Sequence, residues 1–448
     1  MALMISVSGI RGIFGSHLTP ENIINYSAAF GTWLDGGKVI VGRDSRVTGQ
    51  IVEDLVCATL QSVGCDVIKA GIATTPTVAM GVLKHKADGG IILTASHNPA
   101  EWNALKMLNH KSEFLDAEEG KKVLDIAKKA GFQYKMYDEI GSVTEDEDLL
   151  DYHIKKILDL PYIDRELISS KKFTVAVDAV NGAGSIPLPE MLIALGAKVK
   201  KINCEPNGIF PHNPEPLPEN LTEICDFVKK NDIDLGVVTD PDGDRLALVD
   251  ENGRLFGEEY TQVAAFDLML DKKSGNTATN LSSSRAADDI SARHKSVCYR
   301  AAVGEINVVK VMQEKNAIIG GEGNGGVINP DLHYGRDALV GVAMVLQLLA
   351  ERDIKASEYR DSLPDYEMNK QKIELKNLGM DADELLEKVA ESFSEQNPNT
   401  TDGVKIDFDE GWVHFRKSNT EPIVRVYSEA ATKEKAQKLA DKILSIIQ

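Results

Sequence analysis

The chain alternates short apolar strands with helical segments, and this alternation limits the folds open to it. Between Lys38 and Thr94 the order is strand KVIVG, helix, strand DVIKAG, helix and strand GGIILT. Aliphatic runs bounded by glycine and separated by helical stretches are typical of βαβ units. A second run of this kind begins at KFTVAVDAVNGAG and a third at Thr261. The sequence therefore predicts three α/β layers.

The pattern changes towards the carboxyl end. After Pro364 we expect charged helices, the short strands DGVKIDF and GWVHFRKSN, then PIVRVYSEA and a final amphipathic helix. This order predicts a smaller α+β domain. The acidic stretch 137–151 is interpreted as a linker or the start of a connecting helix.

Composition excludes several classes of function. The 448 residues are 43% hydrophobic, enough for several packed domains, and the net charge of −19 opposes binding to nucleic acid or anionic membranes. An anionic substrate would therefore need a locally basic cleft. The five cysteines are scattered without a Cys-x-x-Cys pair, which indicates neither disulfides nor a thiolate metal site and favours the cytoplasm. The opening MALMISVSGIRG reads as neither a signal peptide nor a membrane span.

The stretch GIILTASHNP places a serine at the end of a buried strand. Open α/β sheets bind ligands beyond the carboxyl ends of their strands, so Ser96 stands where a nucleophile is useful. We expect His97 to point away from Ser96, because neighbouring side chains alternate in an extended segment. The Gly-x-Ser-x-Gly turn of hydrolases is absent. A serine that has neither a neighbouring histidine base nor this turn indicates phosphoryl transfer, in which positioning and metal charge supply most of the catalysis.

The stretch TDPDGDR ends another strand and carries three carboxylates at alternate positions. Asp240, Asp242 and Asp244 would repel one another without a cation, and oxygen ligands in a tight loop favour Mg²⁺. A calcium-binding EF-hand loop is the rival interpretation, since Glu251 falls at the twelfth position. It fails because Arg245 occupies its glycine position and a strand precedes the loop.

Three further stretches suit sugar-phosphate binding. Arg11 in SGIRG and Arg43 in RDSR offer guanidinium groups to phosphate, although each alone is as consistent with a structural ion pair. The glycine-rich GGEGNGG lacks the spacing of a nucleotide loop, and its Glu322 and Asn324 suit sugar hydroxyls. RKSNTEP, with Arg425 beyond it, combines cations, hydroxyls and an amide into an anion site.

Taken together, these motifs resemble the α-D-phosphohexomutase family. SGIRG, TASHNP, DPDGDR, GGEGNGG and RKSNTEPIVR occur in the family's order along the whole chain. The resemblance implies three similar α/β domains with mixed sheets and a C-terminal α+β domain around a central cleft. The implied boundaries are 1–150 with the phosphoserine loop, 151–256 with the metal loop, 257–366 with the sugar loop and 367–448 with the phosphate loop.

The resemblance also assigns roles to residues. The catalytic set is Ser96, Arg11, His97, Lys106 and Arg245; the substrate-binding set is Arg43, Glu322, Asn324, Arg416, Ser418, Asn419, Thr420 and Arg425; the metal ligands are Ser96, Asp240, Asp242 and Asp244. Two departures limit the transfer. WNALK replaces the common Tyr-Asn-Gly-x-Lys, and the sugar loop lacks the Ser-Gly-His ending of many bacterial members. We therefore expect the acid–base group to be Lys106, His97 or His333.

The implied activity is exchange of hexose 6-phosphate and hexose 1-phosphate through phosphorylated Ser96 and a 1,6-bisphosphate. Glucosamine phosphate is the expected substrate, with phosphomannomutase or phosphoglucomutase activity as the alternative. A phosphatase with an aspartate nucleophile and a non-catalytic sugar-phosphate sensor are rivals from other classes. We expect one Mg²⁺ per chain, a hexose 1,6-bisphosphate activator, and a monomer or homodimer that binds neither nucleic acid nor membrane.

Overall fold

We describe the fold from a computed structural model that covers residues 3–6, 9–374, 381–417 and 423–447. The chain forms two compact units. The first comprises Met1–Leu268 with Asn324–Glu358, and the second comprises Met269–Gly323 with Tyr359–Gln448. Throughout the described ranges, every helix is too short or too polar to cross a membrane.

The first sheet is mixed and carries residues 94–101, the serine loop, which contains Ser96. Its strands lie in the order β1-β2-β6-β5-β3-β4-β7; β3 is parallel to β4 and β5, whereas β5 and β6 are antiparallel. The elements of this region are β1 (Met4–Ser6), β2 (Gly9–Ile13), α1 (Pro20–Trp33), β3 (Lys38–Arg43), α2 (Gly49–Ser62), β4 (Asp66–Ile72), α3 (Thr75–His85), β5 (Gly89–Leu93), β6 (Trp102–Asn109), α4 (Ala117–Lys129) and β7 (Val143–Glu145).

The stretch 137–151, interpreted above as a linker or helix start, contains a strand. β7 pairs in parallel with β4, with Val143 opposite Val67. All its side chains are exposed, so no apolar pattern marks it in the sequence. Backbone hydrogen bonds at the sheet edge hold this strand.

The second sheet carries residues 240–245, the acidic loop, which contains the three aspartates. Its order is β11-β10-β8-β9, with β10 parallel to β8 and antiparallel to β11. The elements are α5 (Leu149–Leu158), α6 (Arg165–Lys171), β8 (Thr174–Asp178), α7 (Pro187–Ala194), β9 (Lys198–Ile202), α8 (Thr222–Lys230), β10 (Leu235–Thr239) and β11 (Leu246–Asp250).

In the next region, strand β12 lies between β13 and β14 and is parallel to both. The elements are α9 (Tyr260–Lys272), β12 (Asn276–Asn280), α10 (Ala286–Arg293), β13 (Cys298–Ala301), α11 (Glu305–Lys315), β14 (Ala317–Glu322), β15 (Gly326–Ile328), α12 (Ala338–Arg352) and α13 (Ala356–Asp361). The glycine-rich stretch predicted as a loop is partly strand, since β14 runs through Glu322. Gly320 and Gly321 tolerate extended backbone, so their presence alone did not mark a loop.

The last region is an antiparallel sheet in the order β16-β19-β18-β17 with two helices. Its elements are β16 (Glu367–Glu374), α14 (Ala382–Ser392), β17 (Val404–Phe408), β18 (Gly411–Lys417), β19 (Ile423–Ala430) and α15 (Lys433–Ile447). Strand β16 falls where charged helices were expected. Its sequence EMNKQKIE is mostly polar, and pairing with β19 rather than apolar periodicity makes it a strand.

Buried strands in two of these sheets position the two central motifs. All five residues of β5 are buried, as are all five of β10. β5 ends two residues before Ala95, and β10 ends next to Asp240. The α/β class with mixed sheets and a C-terminal α+β region, predicted from the sequence, is confirmed.

Candidate active site

Ser96 lies buried on the turn that follows β5, beside the acidic loop. Its side chain is near the end of a fully buried strand, and the residue is only 4% exposed. The Ser96 hydroxyl donates to Asp240 Oδ2 at 2.9 Å. The structure therefore brings together the predicted nucleophile and the first predicted metal ligand, which are far apart in the sequence.

His97 contacts Ser96, contrary to the expectation that the two side chains would diverge. The His97 Nδ1 atom lies 3.3 Å from the Ser96 hydroxyl. Ser96 has a φ of 50°, so its backbone is left-handed rather than extended and the alternation of side chains fails there. Burial, together with the charges of Arg245 and Arg11, lowers the pKa of His97 to about 2. His97 is therefore a neutral hydrogen-bonding partner and a weak base.

A buried arginine braces the serine loop. The Arg46 guanidinium donates to the carbonyl oxygens of Ser96, Asn98, Pro99 and Trp102 at 2.5–3.1 Å. Asp44 pairs with Arg46 at 2.9 Å, and both side chains are fully buried. These bonds fix a turn that carries a strained residue.

The three aspartates of the acidic loop lie together and are fully buried. Asp240, Asp242 and Asp244 each offer a carboxylate oxygen within 4.8 Å of the others. Burial and the charges of its two neighbours raise the pKa of Asp240 well above its usual range. Burial also opposes ionisation of Asp242, but the charge and hydrogen bond of Lys106, with the hydrogen bonds of Asp240 and Thr75, outweigh it and lower the pKa of Asp242.

These residues fit a divalent cation. Asp242 Oδ1 and Asp244 Oδ1 are buried and accept no hydrogen bond within the described part of the chain. A buried carboxylate oxygen without a donor is costly, and a cation would remove that cost. The donors are all oxygens, which suits Mg²⁺ better than softer metals.

Cations surround the same cluster. Lys106 Nζ donates to Asp242 Oδ2 at 2.7 Å, and Arg11 Nη1 donates to Asn98 on the serine loop at 2.8 Å. Arg245 lies 3.4 Å from Glu215 Oε1, an acceptor that sequence reasoning did not single out. These three cations therefore lie around the aspartate cluster, and two of them are paired with carboxylates.

Arg43 is not brought to this cluster. Its guanidinium donates to Gln50 at 3.0 Å and lies 3.7 Å from Glu53, both on α2. Arg46, three residues further, contacts the serine loop instead. The assignment of Arg43 to substrate stays a prediction.

In the second unit, Glu322 ends β14 as a buried acceptor. Its Oε1 accepts from Asn280 Nδ2 at 2.9 Å and from the Gly304 N–H at 3.1 Å. Asn324, which belongs to the first unit, accepts from the Gly326 N–H at 3.3 Å. The predicted sugar-binding roles of Glu322 and Asn324 remain untested by these contacts.

The predicted phosphate-binding arginines of the second unit face each other. Arg416 on β18 pairs directly with Arg425 on β19. Asp402, which sequence reasoning missed, holds Arg416 Nε at 2.9 Å. Like charges directly opposite each other destabilise a sheet unless an anion joins them. The predicted residues Ser418, Asn419 and Thr420 lie outside the described residues.

Comparison with known proteins covers the whole chain. The models of phosphoglucomutase/phosphomannomutase α/β/α domains I, II and III match residues 3–134, 151–253 and 257–366, and the model of the C-terminal domain matches 370–446. The chain belongs to the phosphoglucomutase/phosphomannomutase family. It is therefore a phosphohexomutase, an isomerase, as the resemblance of its motifs indicated.

Individual relatives match this phosphohexomutase over its whole length. A phosphoglucomutase/phosphomannomutase of Thermococcus kodakarensis is 38% identical, covering 100% of this chain and 99% of its own. A probable phosphoglucosamine mutase of Methanopyrus kandleri is 33% identical, covering 100% and 98%. The solved structure of a phosphoglucomutase/phosphomannomutase family protein from Burkholderia thailandensis shares the fold, with a TM-score of 0.86 at 24% identity over 99% and 98% of the two chains.

This phosphohexomutase also has a second buried cluster, which contains the acid–base candidate His333. His333 Nε2 and His153 Nε2 lie 3.4 Å and 2.9 Å from Asp337 Oδ2. The other oxygen of Asp337 accepts from the N–H groups of Leu339 and Val340. A carboxylate has about four acceptor sites, so four donors saturate Asp337. His333 Nε2 is therefore engaged by Asp337, while His333 Nδ1 is buried without a hydrogen-bond partner among the described residues.

Proposed function

We propose that this phosphohexomutase interconverts glucosamine 6-phosphate and glucosamine 1-phosphate through a phosphorylated Ser96. The observation that carries the proposal is the buried Ser96 hydroxyl, 2.9 Å from Asp240 in a cluster that fits a divalent cation. Asp240, Asp242 and Asp244, with Ser96, would hold one Mg²⁺. When bound, Mg²⁺ supplies positive charge that offsets the charge of a phosphoryl group.

The chemistry is two successive phosphoryl transfers. In the first, the bond between phosphorus and the Ser96 oxygen breaks while phosphorus bonds to the oxygen of the free sugar hydroxyl. That hydroxyl gives up its proton and the Ser96 oxygen gains one, so the products are a hexose 1,6-bisphosphate and free Ser96. In the second, the other phosphate of that bisphosphate returns to Ser96, so the enzyme ends as it began. Positioning and charge stabilisation carry most of the rate in such transfers. If the 1,6-bisphosphate dissociates before the second transfer, Ser96 is left without its phosphate. Added 1,6-bisphosphate would phosphorylate Ser96 again and so act as the activator.

Lys106 is the acid–base group in this proposal. It lies 2.7 Å from Asp242, within the cluster that contains Ser96. His97, whose Nδ1 lies 3.3 Å from the Ser96 hydroxyl, is the alternative, whereas His333 lies in the separate Asp337 cluster. Arg11 and Arg245 add positive charge beside the serine, while Arg416 and Arg425 are proposed to hold the phosphate that is not being transferred.

The amino-sugar substrate rests on two supports. The first is the name of the Methanopyrus relative, probable phosphoglucosamine mutase, whereas the name of the Thermococcus relative, phosphoglucomutase/phosphomannomutase, favours the alternative. The second support is buried Glu322, a carboxylate that would favour an ammonium over a hydroxyl if C2 of the sugar lies beside it. A cytoplasmic location, which the scattered cysteines favour, and a monomeric or homodimeric state complete the proposal.

Two experiments test this proposal. Intact-mass measurement of the purified protein should show one covalent phosphate that is absent from the Ser96→Ala variant. That variant should retain less than a percent of wild-type turnover while still binding substrate, because most binding contacts lie on other residues. Higher residual activity would exclude the phosphoserine.

Substrate choice needs a separate comparison. The value of kcat/KM is measured for glucosamine 1-phosphate, glucose 1-phosphate and mannose 1-phosphate at one Mg²⁺ concentration, each with its 1,6-bisphosphate as primer. A tenfold preference for glucose or mannose 1-phosphate would reject the amino-sugar assignment and leave the mutase mechanism intact. Hydrolysis without isomerisation would favour a phosphatase.

A further inference from the structure

Two carboxylates of the acidic loop each have one oxygen occupied and one free. Asp242 Oδ2 accepts from Lys106 Nζ at 2.7 Å and from the Thr75 hydroxyl at 2.8 Å. Asp244 Oδ2 accepts from Arg336 Nη2 at 2.6 Å. The Oδ1 atoms of both aspartates are buried without a donor in the described chain. The donors thus select which oxygen of each carboxylate remains available to a ligand.

The backbone of the acidic loop is held between the starts of two helices. The Thr75 N–H, at the start of α3, donates to the Asp242 carbonyl at 2.8 Å. The Ala338 N–H, at the start of α12, donates to the Gly243 carbonyl at 3.2 Å. The first N–H groups of a helix have no partner inside that helix, so they are free to make such bonds.

The loop packs closely against α3. Gly243 has a φ of +71°, and a Cβ built there would lie 2.6 Å from the Thr74 side chain. Only glycine satisfies both the backbone conformation and this approach. The close packing brings Thr75 within reach of Asp242.

A buried histidine connects the two helix starts. His153 Nδ1 lies 3.0 Å from the Thr77 hydroxyl on α3, and His153 Nε2 lies 2.9 Å from Asp337, which caps α12. All three side chains are buried. The two helix starts that hold the acidic loop are therefore fixed relative to each other.

We propose that Thr75 is a positioning residue for the cation-binding carboxylates. Its N–H holds the Asp242 backbone carbonyl, and its hydroxyl, together with Lys106, holds the carboxylate with Oδ2 occupied and Oδ1 available. Without the hydroxyl, Asp242 would be freer to rotate and would lose part of its preorganisation for a cation. The inference rests on the cation site proposed above, and it assigns a role to a residue outside that site's ligands.

Thr75→Val tests the inference without changing charge or shape. Mg²⁺ binding to the full-length protein is measured by titration calorimetry, and the change in melting temperature with saturating Mg²⁺ is measured in parallel. Groups that orient metal ligands are commonly worth about 10–100-fold in affinity, so we expect Thr75→Val to weaken Mg²⁺ binding about tenfold or more. Thr75→Ser keeps the hydroxyl and should bind Mg²⁺ within about threefold of wild type.

Thr59→Val is the matched control. Thr59 is also a buried threonine of the first unit, and its hydroxyl donates to the Leu55 carbonyl within α2. This variant should bind Mg²⁺ like wild type, which separates the loss of a specific bond from the general effect of removing a buried hydroxyl. If Thr75→Val does not fold, Thr75→Ala, which relieves any crowding, takes its place.

The outcomes distinguish this inference from the proposed cation site. Wild-type protein that binds no Mg²⁺ would overturn the cation site and the inference together. Wild-type binding with an equal affinity in Thr75→Val would overturn the inference alone. Weak binding by Thr75→Val with recovery in Thr75→Ser supports both.

Discussion

At the residue scale, the left-handed backbone of Ser96 requires support from the residues around the serine loop. A φ of 50° is unfavourable for a residue with a side chain, so surrounding bonds must hold it. Arg46 supplies many of these bonds through the carbonyl groups of the loop. In the stretch RDSR the sequence pointed to Arg43 as a phosphate ligand, whereas buried Arg46 has the structural role.

Replacing Arg46 with lysine tests that role. Lysine keeps the charge but has no planar fork, so several buried carbonyls would lose their donor at about 1–3 kcal/mol each. We expect Arg46→Lys to lower the free energy of unfolding by about 3 kcal/mol and to reduce turnover, as measured by chemical denaturation and steady-state kinetics. Arg165→Lys, at an exposed arginine that donates to one carbonyl, is the control and should change stability by less than about 0.5 kcal/mol. Equal stability of both variants would contradict the bracing role.

At the element scale, the C-terminal sheet places three cations in one row. Arg425 on β19 lies opposite Arg416 on one side and opposite Lys372 of β16 on the other. Directly paired residues share a face of the sheet, so the three side chains point the same way. In the described part of the chain, no acidic group pairs with Arg425 or Lys372. Repulsion between these like charges destabilises the sheet, and a bound anion would offset it.

Lys372 should therefore contribute to sugar-phosphate binding. An exposed charge is worth about 0.5–1 kcal/mol, so Lys372→Met should raise KM about two- to fivefold with little change in kcat. The effect should shrink at high salt, because ions screen exposed charges. Lys388→Met, on the exposed face of α14, is the control. A KM that is unchanged at low salt would exclude Lys372 from the anion site.

At the scale of the whole molecule, a partly buried ion pair connects stability to pH. His212 Nε2 lies 3.1 Å from Asp178 Oδ2. Burial alone would lower the pKa of His212, but the hydrogen bond and charge of Asp178, with Glu223 nearby, raise it. A raised folded-state pKa means that protonated His212 stabilises the fold below the unfolded value of about 6.5, and that this contribution disappears as pH rises through the folded-state pKa.

His212→Gln should consequently destabilise the protein more at pH 6 than at pH 9. Thermal unfolding of wild type and variant at both values measures the difference. His110→Gln, at an exposed turn, should lower the melting temperature equally little at each pH. A His212→Gln effect that is larger at pH 9 would show that the pair does not hold a proton in the folded state.

The sequence by itself determined the α/β class, the strands that end shortly before Ser96 and Asp240, and the family, because periodicity and motif spacing are local properties. Short-range patterns missed β7 and β16, which are held by pairing with neighbouring strands rather than by an apolar face. The same limit applied to the site. Thr75 and Asp242 are 167 residues apart, and Arg336 and Asp244 are 92 apart. Only tertiary packing decided which carboxylate oxygens are bonded and which stay free, because those donors reach the acidic loop from separate helix starts.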